Sequence, residues 1–150
     1  MSPLVIALIV LGGLVVVATA IGLLVKAREG RVREVHGLRK VTAAELDTEE
    51  RFGDFATLVQ FSTEYCTKCP GTHALLQRTA EKHVGVRHIE IDLTHRPDIA
   101  SAFNILQTPT TLVLDEIGTI AARIGGAPRP DAVETALGIA LRRDHGQYVI

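Results

Sequence analysis

Leu4 to Val25 is a run of 22 residues without one Asp, Glu, Lys or Arg, and Thr19 is its one polar side chain. At about 1.5 Å per residue a helix of this length reaches roughly 33 Å, against a hydrocarbon core of about 30 Å. A helix in a soluble core needs a polar face, which this run lacks. Ala18-Thr19-Ala20 has the small residues of a signal-peptide cleavage site. Cleaved leaders, however, carry positive charge ahead of the apolar run, and Met1-Ser2-Pro3 offers only the terminal amine. The apolar run also continues past that point through Ile21-Gly22-Leu23-Leu24-Val25. The expectation is a retained membrane helix over residues 4–25, with the lipid bilayer as its partner.

Charge orders the rest of the chain. Residues 26–40 hold six basic side chains (Lys26, Arg28, Arg31, Arg33, Arg39, Lys40) against Glu29 and Glu34, a net +4. They read as a basic juxtamembrane linker, with a first strand near Arg31–Val35. Lys26, Arg28, Arg31 and Arg33 follow the apolar run and no Lys or Arg precedes it. The positive-inside rule then puts the following domain on the cytoplasmic side of the cell membrane. Residues 41–150 carry ten basic and fifteen acidic side chains. That balance excludes a nucleic-acid partner, which needs a basic face. An apolar fraction of 47% excludes a disordered chain, and two cysteines exclude a disulfide scaffold.

Thr42-Ala43-Ala44-Glu45 fits a capping box, so a helix is expected from Thr42 to about Phe52. Ala56–Phe61 is a short apolar run of strand type, and Ser62–Tyr65 reads as a loop. Cys66 is expected to open a helix that carries Ala74, Leu75, Leu76 and Ala80 at helical spacing and ends near Gly85. Val86–Leu93 alternates and reads as a strand. A short helix from Arg96-Pro97, strands over Thr110–Leu114 and Thr119–Ile124 around an Asp115–Gly118 turn, and a last helix from Pro130-Asp131 to Arg142-Arg143 complete the domain over residues 41–143. Residues 144–150 are expected to form a loose tail. Right-handed crossovers after each βα unit and a final hairpin give an α/β domain: a mixed central sheet flanked by helices.

Cys66-Thr67-Lys68-Cys69 lies between a strand and a helix. A sulfur at a helix N-terminus faces unpaired N–H groups and the positive end of the dipole, which favour thiolate over thiol. Lys68 adds a positive charge two residues on. Cys69 falls one turn later, close enough to close a small disulfide ring. Thiol–disulfide exchange follows: Cys66 attacks a substrate disulfide and Cys69 resolves the mixed disulfide. Pro70 stands where a c-type haem site needs His. Cys66, Cys69 and His73 make three of the four ligands of a structural zinc, and an iron–sulfur cluster needs more thiolates, so no metal is expected. Two inert buried cysteines are the plain alternative.

The segment Leu58-Val59-Gln60-Phe61-Ser62-Thr63-Glu64-Tyr65-Cys66-Thr67-Lys68-Cys69 resembles the active-site segment of thioredoxins. Thr108-Pro109-Thr110-Thr111-Leu112-Val113-Leu114 is similar to the family's cis-proline loop and strand. Ile124-Gly125-Gly126 is similar to its glycine step before the last helix. The resemblance implies a thioredoxin fold, Cys66 as attacking and Cys69 as resolving cysteine, and no cofactor beyond the Cys66–Cys69 dithiol. It implies a groove for an extended substrate along Tyr65, Thr108, Pro109 and Gly125. Tyr65 stands at the family's usual Trp. Lys68 and Gln60 are expected to tune the site, and His88, at a frequent family Lys, is a weaker candidate. Gln60 replaces the family's buried Asp and cannot take a proton, so Cys69 needs another base. Pro70, read as the fourth helical residue, is expected to leave the Cys66 carbonyl short of its helical partner.

Together these readings describe a membrane-anchored thiol–disulfide oxidoreductase that reduces protein disulfides, with an electron-donating reductase as second partner. Two alternatives stand beside it. One is a non-catalytic thioredoxin-fold scaffold or assembly subunit for a membrane partner. The other is an extracytoplasmic thiol reductase of the cytochrome-maturation type.

Overall fold

The computed structural model describes residues 2–143, so the expected tail over 144–150 lies outside the described residues. Strand β2 (Ala56–Ser62) is buried along its whole length. A strand reaches that state only with neighbours on both edges and cover on both faces. Both are present. The sheet runs in the order β1 (Val32–Glu34), β5 (Ile120–Gly125), β4 (Thr110–Asp115), β2, β3 (Val86–Asp92). β2 and β3 pair in parallel, and the other neighbours are antiparallel.

Side-chain alternation along β2 divides the core. Leu58 points with Leu76, Val113, Ile124, Val133 and Leu137 towards α2 (Cys69–Lys82) and α4 (Pro130–Leu141). Val59 and Phe61 point to the opposite face, with Leu112, Ile89 and Phe103 beside α3 (Pro97–Ala102). Gln60 falls on the α2 face, a polar side chain in an apolar row, and is fully buried. The expected strands are all present, with ends one residue later at β2, β4 and β5. The hairpin turn is closed by Asp115, whose Oδ1 accepts the N–H groups of Ile117 and Thr119 at 3.1 and 2.8 Å.

Helix α1 (Pro3–Arg28) has 26 residues, none of them buried, and a mean hydropathy of 3.0 over its most apolar stretch. It is long and apolar enough to cross a membrane. Thr19 satisfies its own hydroxyl by donating to the Val15 carbonyl at 2.8 Å, so the run presents no unpaired side-chain donor.

Two expectations about helices need correction. Residues 42–52 do not form a helix. The capping box does close: the Thr42 N–H donates to Glu45 Oε2 at 2.9 Å, and the Glu45 N–H to Thr42 Oγ1 at 3.3 Å. The chain then leaves the turn at Asp47, whose φ is +50°. The reason is burial. Positions three and four after the buried Leu46 are Glu49 and Glu50, so no apolar stripe exists to hold further turns against the sheet. The second correction concerns the cysteine pair. α2 begins at Cys69, so Cys66 lies in the turn before it rather than in its first turn. Pro70 is therefore the second helical residue, where its missing N–H breaks no helical bond. The Cys66 carbonyl is not short of a partner, since it accepts the Cys69 N–H at 3.2 Å.

Candidate active site

Parallel pairing of β2 with β3 leads both strands to the same end of the sheet, and the loop after β2 carries the cysteines there. Cys66 and Cys69 form a disulfide, with an S–S distance of 2.13 Å and Cα atoms 5.4 Å apart. Cys66 is half-buried, and Cys69 is 4% exposed. The difference follows from position: Cys69 sits on the inner face of α2, while Cys66 stands at the loop surface.

Of the expected groove residues, Thr108 is the one with a hydrogen bond to the cysteine loop. The Thr108–Pro109 peptide bond is cis. Thr108 Oγ1 lies 3.3 Å from Thr63 Oγ1, which ties the proline loop to the cysteine loop. The Pro109 carbonyl accepts the Gly126 N–H at 2.8 Å, and Gly125 pairs with Thr110 across β4 and β5. Tyr65 projects into solvent, 81% exposed. Pro109 is buried, and Thr108 and Gly125 are half-buried, so Thr108 carries the proline loop's contact with the disulfide loop.

Lys68 is engaged by a carboxylate from outside the site. Its ammonium donates to Glu29 Oε2 at 2.8 Å, beyond the end of α1. The next residue, Gly30, donates its N–H to the Gly125 carbonyl at 2.8 Å. Gly30 has a φ of +71°, and a Cβ there would lie 2.6 Å from the Ala127 carbonyl oxygen. Only glycine lets the chain pass this close to the glycine step.

Gln60 makes the site's buried network. Its Nε2 donates to the Cys69 carbonyl at 3.1 Å and to Glu90 Oε1 at 3.3 Å. Both partners are acceptors, which fixes the amide orientation and leaves Gln60 Oε1 facing His88 Nε2 at 3.1 Å. His88 Nε2 must therefore carry a hydrogen. Burial, reinforced by the neighbouring His73 imidazole and opposed by Glu90, pushes the His88 pKa down to about 4. His88 Nδ1 lies at the longer distance of 3.4 Å from Gln77 Oε1, and a neutral His88 donating through Nε2 to Gln60 fits the shorter bond and the lowered pKa. On the far side, His73 Nδ1 lies 2.7 Å from Glu90 Oε2.

His73 and Glu90 open into a cleft of about 610 Å³ lined also by Cys66, Cys69, Pro70 and Asp92, among others. Asp92 is occupied locally: its Oδ1 accepts the hydroxyl and N–H of Thr94, which hold its carboxyl below the usual range. No sequence motif marks Glu90, and His73 enters the motifs only as a zinc ligand. The signal for Glu90 was the two-residue period that places His88, Glu90 and Asp92 on one face of β3. The register Gln60 opposite Glu90 then brings it to the cysteines.

Comparison with known proteins agrees with this geometry. The thioredoxin family model matches residues 38–137, two thirds of the chain. Thioredoxin C-2 of Corynebacterium nephridii is 29% identical over 73 residues, which is 48% of this chain and 68% of that protein. A mutant thioredoxin from Halobacterium salinarum NRC-1 superposes with a TM-score of 0.53 at 20% identity, over 59% of this chain and 76% of that one. Oxidized mitochondrial thioredoxin 3 from Saccharomyces cerevisiae gives 0.50 at 24% identity, over 57% and 78%. At such identities the superpositions speak for the fold alone. The long family match carries the assignment, and with it thiol–disulfide oxidoreductase chemistry at a general level: the chain belongs to the thioredoxin family.

Proposed function

We propose that the protein is a membrane-anchored thiol–disulfide oxidoreductase that reduces protein disulfides, with its catalytic domain on the cytoplasmic side. The observation that carries the reading is the Cys66–Cys69 disulfide in the loop after β2, tied through Thr63 to Thr108 at the cis Thr108–Pro109 bond. In the reduced protein Cys66, the more accessible sulfur, attacks a substrate disulfide. An extended substrate segment pairs with the Thr108 backbone, and Cys69, shielded beneath, resolves the mixed disulfide. A separate reductase returns the pair to the dithiol. Anchoring is supported by the length and apolar surface of α1. Sidedness is supported by Lys26, Arg28, Arg31 and Arg33, which follow the apolar run.

The test is reduction of insulin disulfides by the full chain in detergent micelles with dithiothreitol as electron source. Turnover that is lost in Cys66→Ser supports the reading. Absence of turnover over the background of the dithiol alone would favour a scaffold. Sidedness is tested separately with C-terminal reporters: a fluorescent protein that matures in the cytoplasm should glow, and an active exported phosphatase would place the domain outside.

A further inference from the structure

We propose that Glu90 is the general base that takes the proton from the Cys69 thiol when the mixed disulfide is resolved, and that His73 positions it. The proposal rests on the exchange reading above. It answers a chemical need of that reading. Cys69 attacks as a thiolate, so its proton must leave, and Gln60, the polar side chain buried beneath it, has no group that can accept one.

Three carboxylates line the cleft beside Cys69, those of Glu64, Glu90 and Asp92, and Glu90 is the one tied to Cys69 by a shared hydrogen-bond donor. His88 donates through Nε2 to Gln60, and burial makes it a weak base, with a pKa of about 4. Asp92 spends Oδ1 on Thr94 and is held in its charged form. Glu64 lines the cleft from the loop, but its carboxylate is engaged by the exposed Tyr65 hydroxyl. Glu90 is different. One amide nitrogen, Gln60 Nε2, joins its Oε1 to the Cys69 backbone, and its Oε2 is held by His73 from the first turns of α2. Its carboxylate and Cys69 line the same cleft, which has room for a bridging water. The charged and titratable groups that face Glu90 are His73 from α2 and His88 and Asp92 from its own strand, with Glu64 at the cleft mouth.

The step balances as follows. Cys66 thiolate attacks the substrate disulfide, forming a Cys66–substrate mixed disulfide and releasing the first substrate sulfur as thiolate. The Cys69 thiol passes its proton to Glu90, directly or through one water. The resulting thiolate attacks the Cys66 sulfur, the Cys66–Cys69 bond forms, and the second substrate sulfur leaves with its electron pair. Glu90 then releases its proton to that thiolate or to solvent. The substrate disulfide gains two electrons and the cysteine pair loses two.

The experiment uses the full chain in detergent, reduced and freed of reductant, mixed with 5,5′-dithiobis(2-nitrobenzoic acid) in a stopped-flow instrument. The first nitrothiolate released reports attack by Cys66, and the second reports resolution by Cys69. Glu90→Gln keeps an acceptor for Gln60 and should leave the first phase unchanged. It should slow the second about 100-fold near neutral pH, a normal contribution for a positioned base. The deficit should shrink as hydroxide replaces the base at alkaline pH. His73→Gln, which still reaches Glu90 with a donor, should retain most of the rate that His73→Ala loses. A wild-type protein without a first phase would refute the exchange reading itself. A normal wild-type first phase with an unchanged second phase and pH profile in Glu90→Gln would overturn the role of Glu90. A His73→Gln variant as slow as Glu90→Gln would move the base to the imidazole and overturn the assignment too.

Discussion

Acid should weaken this fold through His88 in a way that one substitution removes. The folded state holds the His88 pKa at about 4, against 6.5 for the free side chain. Above about pH 6.5 both states are neutral and the residue contributes nothing. As the pH falls towards 4, the unfolded chain takes a proton that the folded chain refuses, so stability drops; below that both are charged and the deficit is constant. At roughly 1.4 kcal/mol per pH unit the ceiling is about 3 kcal/mol. His88 is only half-buried, and solvent screening reduces this to about 1–2 kcal/mol. His88→Gln keeps a donor for Gln60 Oε1 and has no proton to gain. Urea unfolding of the oxidised full chain in detergent, at about pH 7 and about pH 4, should show the wild type losing about 1–2 kcal/mol more than the variant. All other titrating groups are common to both proteins and cancel in the comparison. Parallel stability curves would refute the argument that burial keeps His88 neutral.

Other outcomes follow from the same geometry. Cys66→Ser should abolish insulin reduction, and Cys69→Ser should accumulate mixed disulfides with substrate, seen on non-reducing gels; equal alkylation of both thiols in the reduced wild type would argue against their division of labour. Gly53→Ala should cost about 2–3 kcal/mol in chemical unfolding, because its Cβ would meet the Ala56 and Gly85 carbonyl oxygens at 2.2 and 2.6 Å, both backbone atoms. Leu76→Ala, at a fully buried position under α2, should cost about 2–5 kcal/mol in the same measurement. Lys68→Gln breaks an exposed ion pair with Glu29 and should change stability by less than about 1 kcal/mol.

The strands and most helices were readable because their signals are local. The apolar run Ala56–Phe61, the alternation from Val86 and the turn residues Asp115–Gly118 each carry their own period or breaker. The helix expected after Thr42 failed where a local signal met a non-local requirement: the cap formed, but Glu49 and Glu50 offered the sheet nothing to bury. The start of α2 was misplaced for a related reason, since whether Cys66 or Cys69 begins the helix depends on how the loop after β2 folds back. The cysteine pair and Pro109 stood out by motif. The Gln60–Glu90–His73 network did not, because it depends on the register of β3 against β2 and on how α2 lies across both.

The link from Glu29 and Gly30 to Lys68 and Gly125 governs reach. A loose tether lets a domain sample a volume whose radius grows by about 5–6 Å times the square root of its residue count. Here three residues, Glu29 to Arg31, separate α1 from β1, and two of them are bonded to the rim of the disulfide site. With α1 across a bilayer, a tether of three residues would keep the sulfurs within a short distance of the lipid surface. A partner embedded in the same membrane would then meet them by diffusion in two dimensions. A soluble partner would have to bring its disulfide down to the lipid surface.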